Sequence, residues 1–159
     1  MERERLRFTD RALAMQGFSG RAALRKVAPW LRLTPSLSTL WITTGTALAS
    51  PAGLLGFSLV SALGAARPTH LFDALYNRGI RRLIKGRPLP ENPPPRRFAM
   101  GLAAAWAATA ALLLRTGHRH AGRIAGGLLA VAGATVASTH FCLGSGAYRL
   151  IERARAGRF

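Results

Sequence analysis

A histidine and a cysteine two positions apart, His140 and Cys142, are the side chains of this sequence best equipped for chemistry. A neighbouring imidazole can lower a thiol's pKa and favour the reactive thiolate. On one continuous helix, however, positions i and i+2 point about 200° apart, so the two groups would not touch. A buried, unreactive thiol beside a histidine hydrogen-bonded to another helix is the plainer reading. Cys142 is the only cysteine, which excludes an intramolecular disulfide. His118 and His120 flank Arg119 with no Cys, Asp or Glu nearby to complete a metal set, and read as a solvated loop. Neither metal nor cofactor is implied, since haem would need a second histidine facing His140 from another segment. Thr39, Thr43 and Thr46 share one helix face and could line a polar path, although threonine hydroxyls usually bond the carbonyl one turn back.

The elements that must position these groups are set by charge. All 29 charged residues fall in 83 positions, and the remaining 76 form three uncharged stretches at 33–66, 98–114 and 124–148. A charge at the bilayer centre costs roughly 2.5–3.5 kcal/mol on insertion scales, so this segregation is what a membrane protein requires. A soluble helical core would mix charges into its apolar stripes every three or four residues. Mean hydropathy is only +0.15 because very basic segments dilute very apolar ones. The net charge of +17 suits phosphates, but no nucleic-acid-binding motif is present, and anionic lipid headgroups account for it more simply. The charged start, with no uninterrupted apolar core before Arg25 and Lys26, does not resemble a secretory signal peptide.

A spanning helix needs about 20 residues. The stretch at 124–148 suits one span and that at 98–114 a short one. The stretch at 33–66 is too long for one and carries Ser50-Pro51-Ala52-Gly53 at its middle, a turn that divides it into spans over 35–49 and 51–66. Each half reaches only about 21–24 Å, which implies a thinned bilayer or extension through residues 30–32. With four spans, 20 basic residues share one side against three on the other. The positive-inside rule then places both termini in the cytoplasm.

Three parts follow: a basic segment at 1–32, a four-helix membrane domain at 33–151, and a basic tail at 152–159. The cytoplasmic loop at 67–97 joins the two hairpins. Its first part, 69–85, reads as an amphipathic helix on the leaflet, with Leu71, Phe72, Leu75, Tyr76, Leu83 and Ile84 apolar and Asp73, Asn77, Arg78, Arg81, Arg82 and Lys85 elsewhere. Five prolines within 88–95 make the rest a stiff, extended link. Arg78, Arg81, Arg82, Lys85, Arg96 and Arg97 are the expected contacts to lipid headgroups. Residues 9–28 suggest a second basic surface helix, with Leu13, Phe18, Leu24 and Val27 on its buried side and Gly17, Ser19 and Gly20 weakening it.

Small residues let helices approach closely where lipid removes the hydrophobic drive. Gly101, Ala105 and Thr109 form one ridge in the third span, and Gly122, Gly126, Ala130, Gly133 and Ala137 another in the fourth, so these two spans are expected to pack together. Trp106 lies in mid-helix and is expected to fill a gap in the bundle.

Pro93-Pro94-Pro95-Arg96-Arg97-Phe98-Ala99 ahead of an apolar helix, with Phe141-Cys142-Leu143-Gly144-Ser145-Gly146-Ala147-Tyr148 further on, resembles a family of small bacterial integral membrane proteins catalogued as a domain of unknown function. The resemblance covers roughly residues 36–151. It implies location in the bacterial cytoplasmic (inner) membrane. It also implies a Phe-Cys-x-Gly-Cys-x-x-Tyr ending, whose Cys-x-x-Cys spacing suits dithiol exchange or metal binding. Here the second cysteine position is Ser145, which removes an intramolecular dithiol couple and points to a structural use of the motif.

The sequence therefore describes an all-α membrane protein of four spans, more plausibly a non-enzymatic accessory, scaffold or lipid-interacting unit than an enzyme. Its expected partners are the bilayer, anionic headgroups and a second copy or a membrane protein. The alternatives are a thiol-redox partner acting through Cys142 with His140, and a small transporter or channel subunit.

Overall fold

The structure, a computed structural model, describes residues 2–19 and 21–157; Gly20, between the first two helices, lies outside them. Nine α-helices follow in order among those residues: α1 (Glu2–Met15), α2 (Arg21–Leu31), α3 (Leu33–Ala47), α4 (Pro51–Ala66), α5 (Leu71–Leu75), α6 (Arg81–Leu83), α7 (Pro94–Arg115), α8 (Arg119–Thr139) and α9 (Leu143–Arg155). A single π-helical turn, Tyr76–Ile80, joins α5 to α6. No strand occurs among the described residues.

The uncharged stretches become an antiparallel bundle of α3, α4, α7 and α8. The turn at 48–50 is built as its residues dictate: Ser50 accepts from the Gly53 N–H at 3.1 Å and Pro51 occupies the first turn of α4. Trp41 donates across the hairpin to the Gly53 carbonyl at 2.9 Å. Two helices, α7 and α8, are long and apolar enough to cross a membrane; α4 is apolar but shorter, and α3 has 15 residues.

Small residues line much of the bundle interior, Ala104, Ala107, Ala110, Ala111, Gly45, Gly64 and Gly126, with Ile42, Leu54, Phe57, Leu114 and Leu129 as the larger fillers. Many other large apolar side chains point outward, among them Leu59 at 68% exposure, Leu128 at 56% and the rest of an α4 stripe, Leu55 and Leu63.

The two small-residue ridges divide their contacts. Gly122 faces Leu114 of α7, whereas Gly126 and Gly133 face Thr46 and Thr39 of α3. The ridge of α8 thus serves α3 as much as α7. Ala130 borders the bundle core and Ala137 is half-buried. On α7, Gly101 meets Ala65 of α4, while Ala105 and Thr109 lie on the exposed side. Trp106 fills no interior gap: it is 41% exposed and ties α7 to α8 by donating to the Ala125 carbonyl at 3.0 Å.

The remaining helices form a cap at one end of the bundle. Leu13, Phe18, Leu24, Val27, Leu31, Tyr76 and Leu89 make its separate apolar core, so the first four of these are buried as their spacing suggests. Gly17 adopts φ +95° at the break after α1, where a Cβ would lie 2.8 Å from Pro93. Arg32 keeps a helical backbone between α2 and α3, which lets the chain run on from cap into bundle.

Two expectations need correction. The stretch at 124–148 is not one helix: α8 ends at Thr139, His140 turns left-handed at φ +60°, and α9 starts at Leu143 and continues to Arg155. Thr139 helps to break it, since its hydroxyl, bound to the Thr135 carbonyl, also accepts from the Phe141 N–H. The arm at 69–85 is also oriented differently. Asp73, expected on the solvated side, and Tyr76, expected on the apolar one, are both buried against the rest of the cap, while Leu71, Leu75 and Leu83 stay exposed as an amphipathic arm requires.

Candidate functional site at the junction of two motifs

The segments 93–99 and 141–148 pack directly on one another. Ser145 is fully buried and its hydroxyl donates to the Pro95 carbonyl at 3.2 Å. A Cβ on Gly144 would sit 2.9 Å from Ala99 Cα, so only glycine admits this approach of α9 to α7. Phe98 and Tyr148 pack with ring centroids 5.5 Å apart and planes tilted by 54°. The position that the resemblance gives to a second cysteine is therefore an interior packing position.

Arg96, 6% exposed, stands behind this junction. Its guanidinium lies 5.4 Å from the Phe18 ring centroid and 3.9 Å from an Asp73 carboxylate oxygen. The carboxylate also accepts from Thr34 Oγ1 at 2.7 Å and from Asn92 Nδ2 at 3.1 Å. Asp73 thereby joins the arm, the start of α3, the proline-rich link and the first turn of α7. An unpaired buried charge costs several kcal/mol, so these partners are what make its burial possible. Asn92 holds the link in place through its own N–H to the Pro68 carbonyl at 2.7 Å. Asn77 does the same for Leu89, exchanging two hydrogen bonds with its backbone.

His70 is buried beside this group and caps α5, its Nδ1 accepting from the Phe72 N–H at 3.3 Å. Burial pushes its pKa below the ordinary value, Asp73 pulls it up, and Arg96 adds to the depression.

His140 and Cys142 are placed near one another but are used differently. His140 Nε2 accepts from Arg32 Nε at 3.0 Å, and its carbonyl accepts from Gln16 Nε2 at 2.5 Å. The imidazole is thus neutral and committed to α3. Burial, then Arg32, then Arg96, push its pKa down to about 4. Cys142 is half-buried at the N-cap of α9 and lies within electrostatic reach of Arg96. The arrangement offers one thiol, one neutral imidazole engaged elsewhere, and a buried ion pair whose carboxylate accepts two hydrogen bonds, beside an Asn92 Oδ1 left without a partner. Among the described residues no three His, Cys, Asp or Glu side chains converge as metal ligands.

The depressed His140 pKa gives a pH prediction. Between about pH 4 and 6.5 the unfolded chain binds a proton that the folded chain refuses, so stability rises with pH across that window and falls on acidification. His140→Asn keeps an acceptor for Arg32 and tolerates the left-handed turn. Thermal unfolding of that variant in detergent should show a flatter acid limb, and an unchanged limb would refute the assignment.

The basic residues expected at headgroups separate into two sets. Arg78, Arg82 and Lys85 are exposed, and half-buried Arg81 donates to the Asn77 carbonyl one turn back at 3.2 Å. Arg97 instead closes the end of α4, donating to the Ala65 and Ala66 carbonyls at 2.8 and 3.0 Å. Arg96 is interior and is not at the headgroup surface. Thr39 bonds the Pro35 carbonyl at 2.7 Å, as a threonine in a helix commonly does. His118 lies exposed at the N-cap of α8, in the short turn after α7, and His120 lies exposed in the first turn of α8.

The residues not anticipated from sequence are Asp73 in its buried role, Asn92, His70, Thr34, Arg32 and Gln16. One signal was available: Asp73 is the only acid between Asp10 and Glu91 in a chain with 23 Lys and Arg.

An all-helical bundle with two helices able to cross a membrane and a polar cap at one end is a fold class, not a chemistry. Residues 28–153 match the family described as Domain of unknown function (DUF4395), and the chain belongs to that family. No curated protein and no solved structure matches it.

Proposed function

We propose that this chain is a four-span protein of the bacterial cytoplasmic membrane with both termini in the cytoplasm, and that it works as a non-enzymatic scaffold or accessory unit whose cap rests on anionic lipid. The observation that carries this reading is the packing: small residues where the helices approach, and a broad outer surface of exposed leucines and other large apolar side chains. Exposed apolar stripes on four helices would be a liability in water, whereas lipid solvates them at no cost. The 20 basic residues of the cap and its flanks, against three at the end where α7 meets α8, supply the orientation. Short α3 and α4 are served by a locally thinned bilayer.

A non-enzymatic role fits the site because its ionisable groups are already consumed: Asp73 by Arg96, Thr34 and Asn92, and His140 by Arg32. Cysteine accessibility tests the topology directly, starting from Cys142→Ser. In intact cells His118→Cys should react with an impermeant maleimide, and Arg155→Cys should react only after permeabilisation. The reverse pattern, or a chain that stays in solution without detergent, overturns the proposal.

A further inference from the structure

We infer that the groove between α1 and α9 is a binding site for one anionic glycerophospholipid, an inference that rests on the membrane reading above. The groove has a volume of about 910 Å³ and is open along one side. Its floor is apolar, with Met15, Phe141, Leu143, Ala147 and Leu150 along it, and its rim carries Arg11, Arg149 and Arg153 against a single acid, Glu152.

These two halves are arranged as a lipid requires. Phe141 and Leu143 are exposed beside the end of α8, where they continue the outward apolar surface of the bundle. The arginines of α9 follow two to three turns further along, towards the cap. An acyl chain laid along the floor would therefore bring its phosphate to the rim. Guanidinium groups hold phosphate oxygens bidentately, so Arg11 and Arg153, both exposed, suit that end. Arg149 serves a different purpose. It pairs with Glu152 at 3.2 Å and donates to the Ala14 and Met15 carbonyls at 3.4 Å, fixing α9 to the end of α1. The walls are thus joined by the protein itself, and the ligand is not needed to assemble them. Charge complementarity selects the occupant: with Arg149 paired to Glu152, Arg11 and Arg153 leave the groove net positive, which disfavours a zwitterionic headgroup, and the floor gives a soluble phosphate nothing to bury.

The test uses the full chain in detergent, with phosphatidylglycerol, phosphatidylcholine and glycerol phosphate as probes and bound lipid read by native mass spectrometry. Phosphatidylglycerol should bind one per chain and at least tenfold more tightly than the other two. Arg11→Gln/Arg153→Gln should weaken it about tenfold or more, and Arg78→Gln/Arg82→Gln, on the other basic surface, less than twofold. Ala147→Trp, which fills the floor with the arginines intact, should also abolish the bound lipid. Equal binding of phosphatidylcholine, competition by glycerol phosphate, or unchanged affinity in both groove variants overturns the site. Failure of the topology experiment would be seen separately, as a chain that does not partition into membranes.

Discussion

Replacing Asp73 by alanine is expected to destabilise the protein by about 3–5 kcal/mol, the usual penalty for leaving a buried partner charge uncompensated. Arg96 is 6% exposed and has this carboxylate at 3.9 Å, while Thr34 and Asn92 would each lose an acceptor at 2.7 and 3.1 Å. The damage should spread, because the same carboxylate ties the arm and the proline-rich link to the ends of α3 and α7. Asp73→Asn keeps an oxygen acceptor and should cost less than alanine. Removing both charges, as in Asp73→Leu/Arg96→Met, should recover a large part of the loss, since a hydrophobic replacement of a buried pair is often neutral. Unfolding in detergent of the two single variants and the double variant decides the matter. Equal, additive losses would mean that the pair is not coupled.

The second large effect is expected at Gly126. A Cβ there would collide with the Thr46 hydroxyl, so Gly126→Val should force α3 and α8 apart at a cost of roughly 1–3 kcal/mol or more. Thr46 is itself buried, and its hydroxyl has no hydrogen-bond partner, unlike that of Thr39. Thr46→Ala should therefore be mild alone, and in combination with Gly126→Ala it should relieve most of the clash. A double-mutant cycle on unfolding free energy measures this coupling. If Gly126→Val melts like the parent, the close approach of these helices is wrong.

Much of the bundle was legible because its cause is one-dimensional. Charge exclusion from 33–66, 98–114 and 124–148, and the Ser50-Pro51 turn, act locally along the chain and can be read from it. The membership shown over 28–153 likewise followed from two short motifs. What escaped was three-dimensional. Asp73 reads as the polar side of an amphipathic arm until Arg96, Thr34 and Asn92, drawn from three other segments, make that side the interior. Residues 124–148 carry no proline, so the break at His140 has no breaker residue to announce it. The left-handed turn depends on Arg32 and Gln16, more than 100 positions away. The ridge at 122–137 was visible, but small residues state only that something comes close, not which helix does so.

One feature joins the two halves of the molecule. Arg32, Thr39 and Thr46 advance by seven residues along α3, and they meet His140, Gly133 and Gly126, which retreat by seven along α8. Seven residues are nearly two helical turns, so a single edge of each rod carries all three meetings. The two helices behave like a rack and its matching teeth: a slide of one turn either way would set Thr39 against a residue with a side chain and pull Arg32 off the imidazole. Length is consequently metered along the bundle out to the cap, and the cap cannot be shifted without unseating the bundle beneath it.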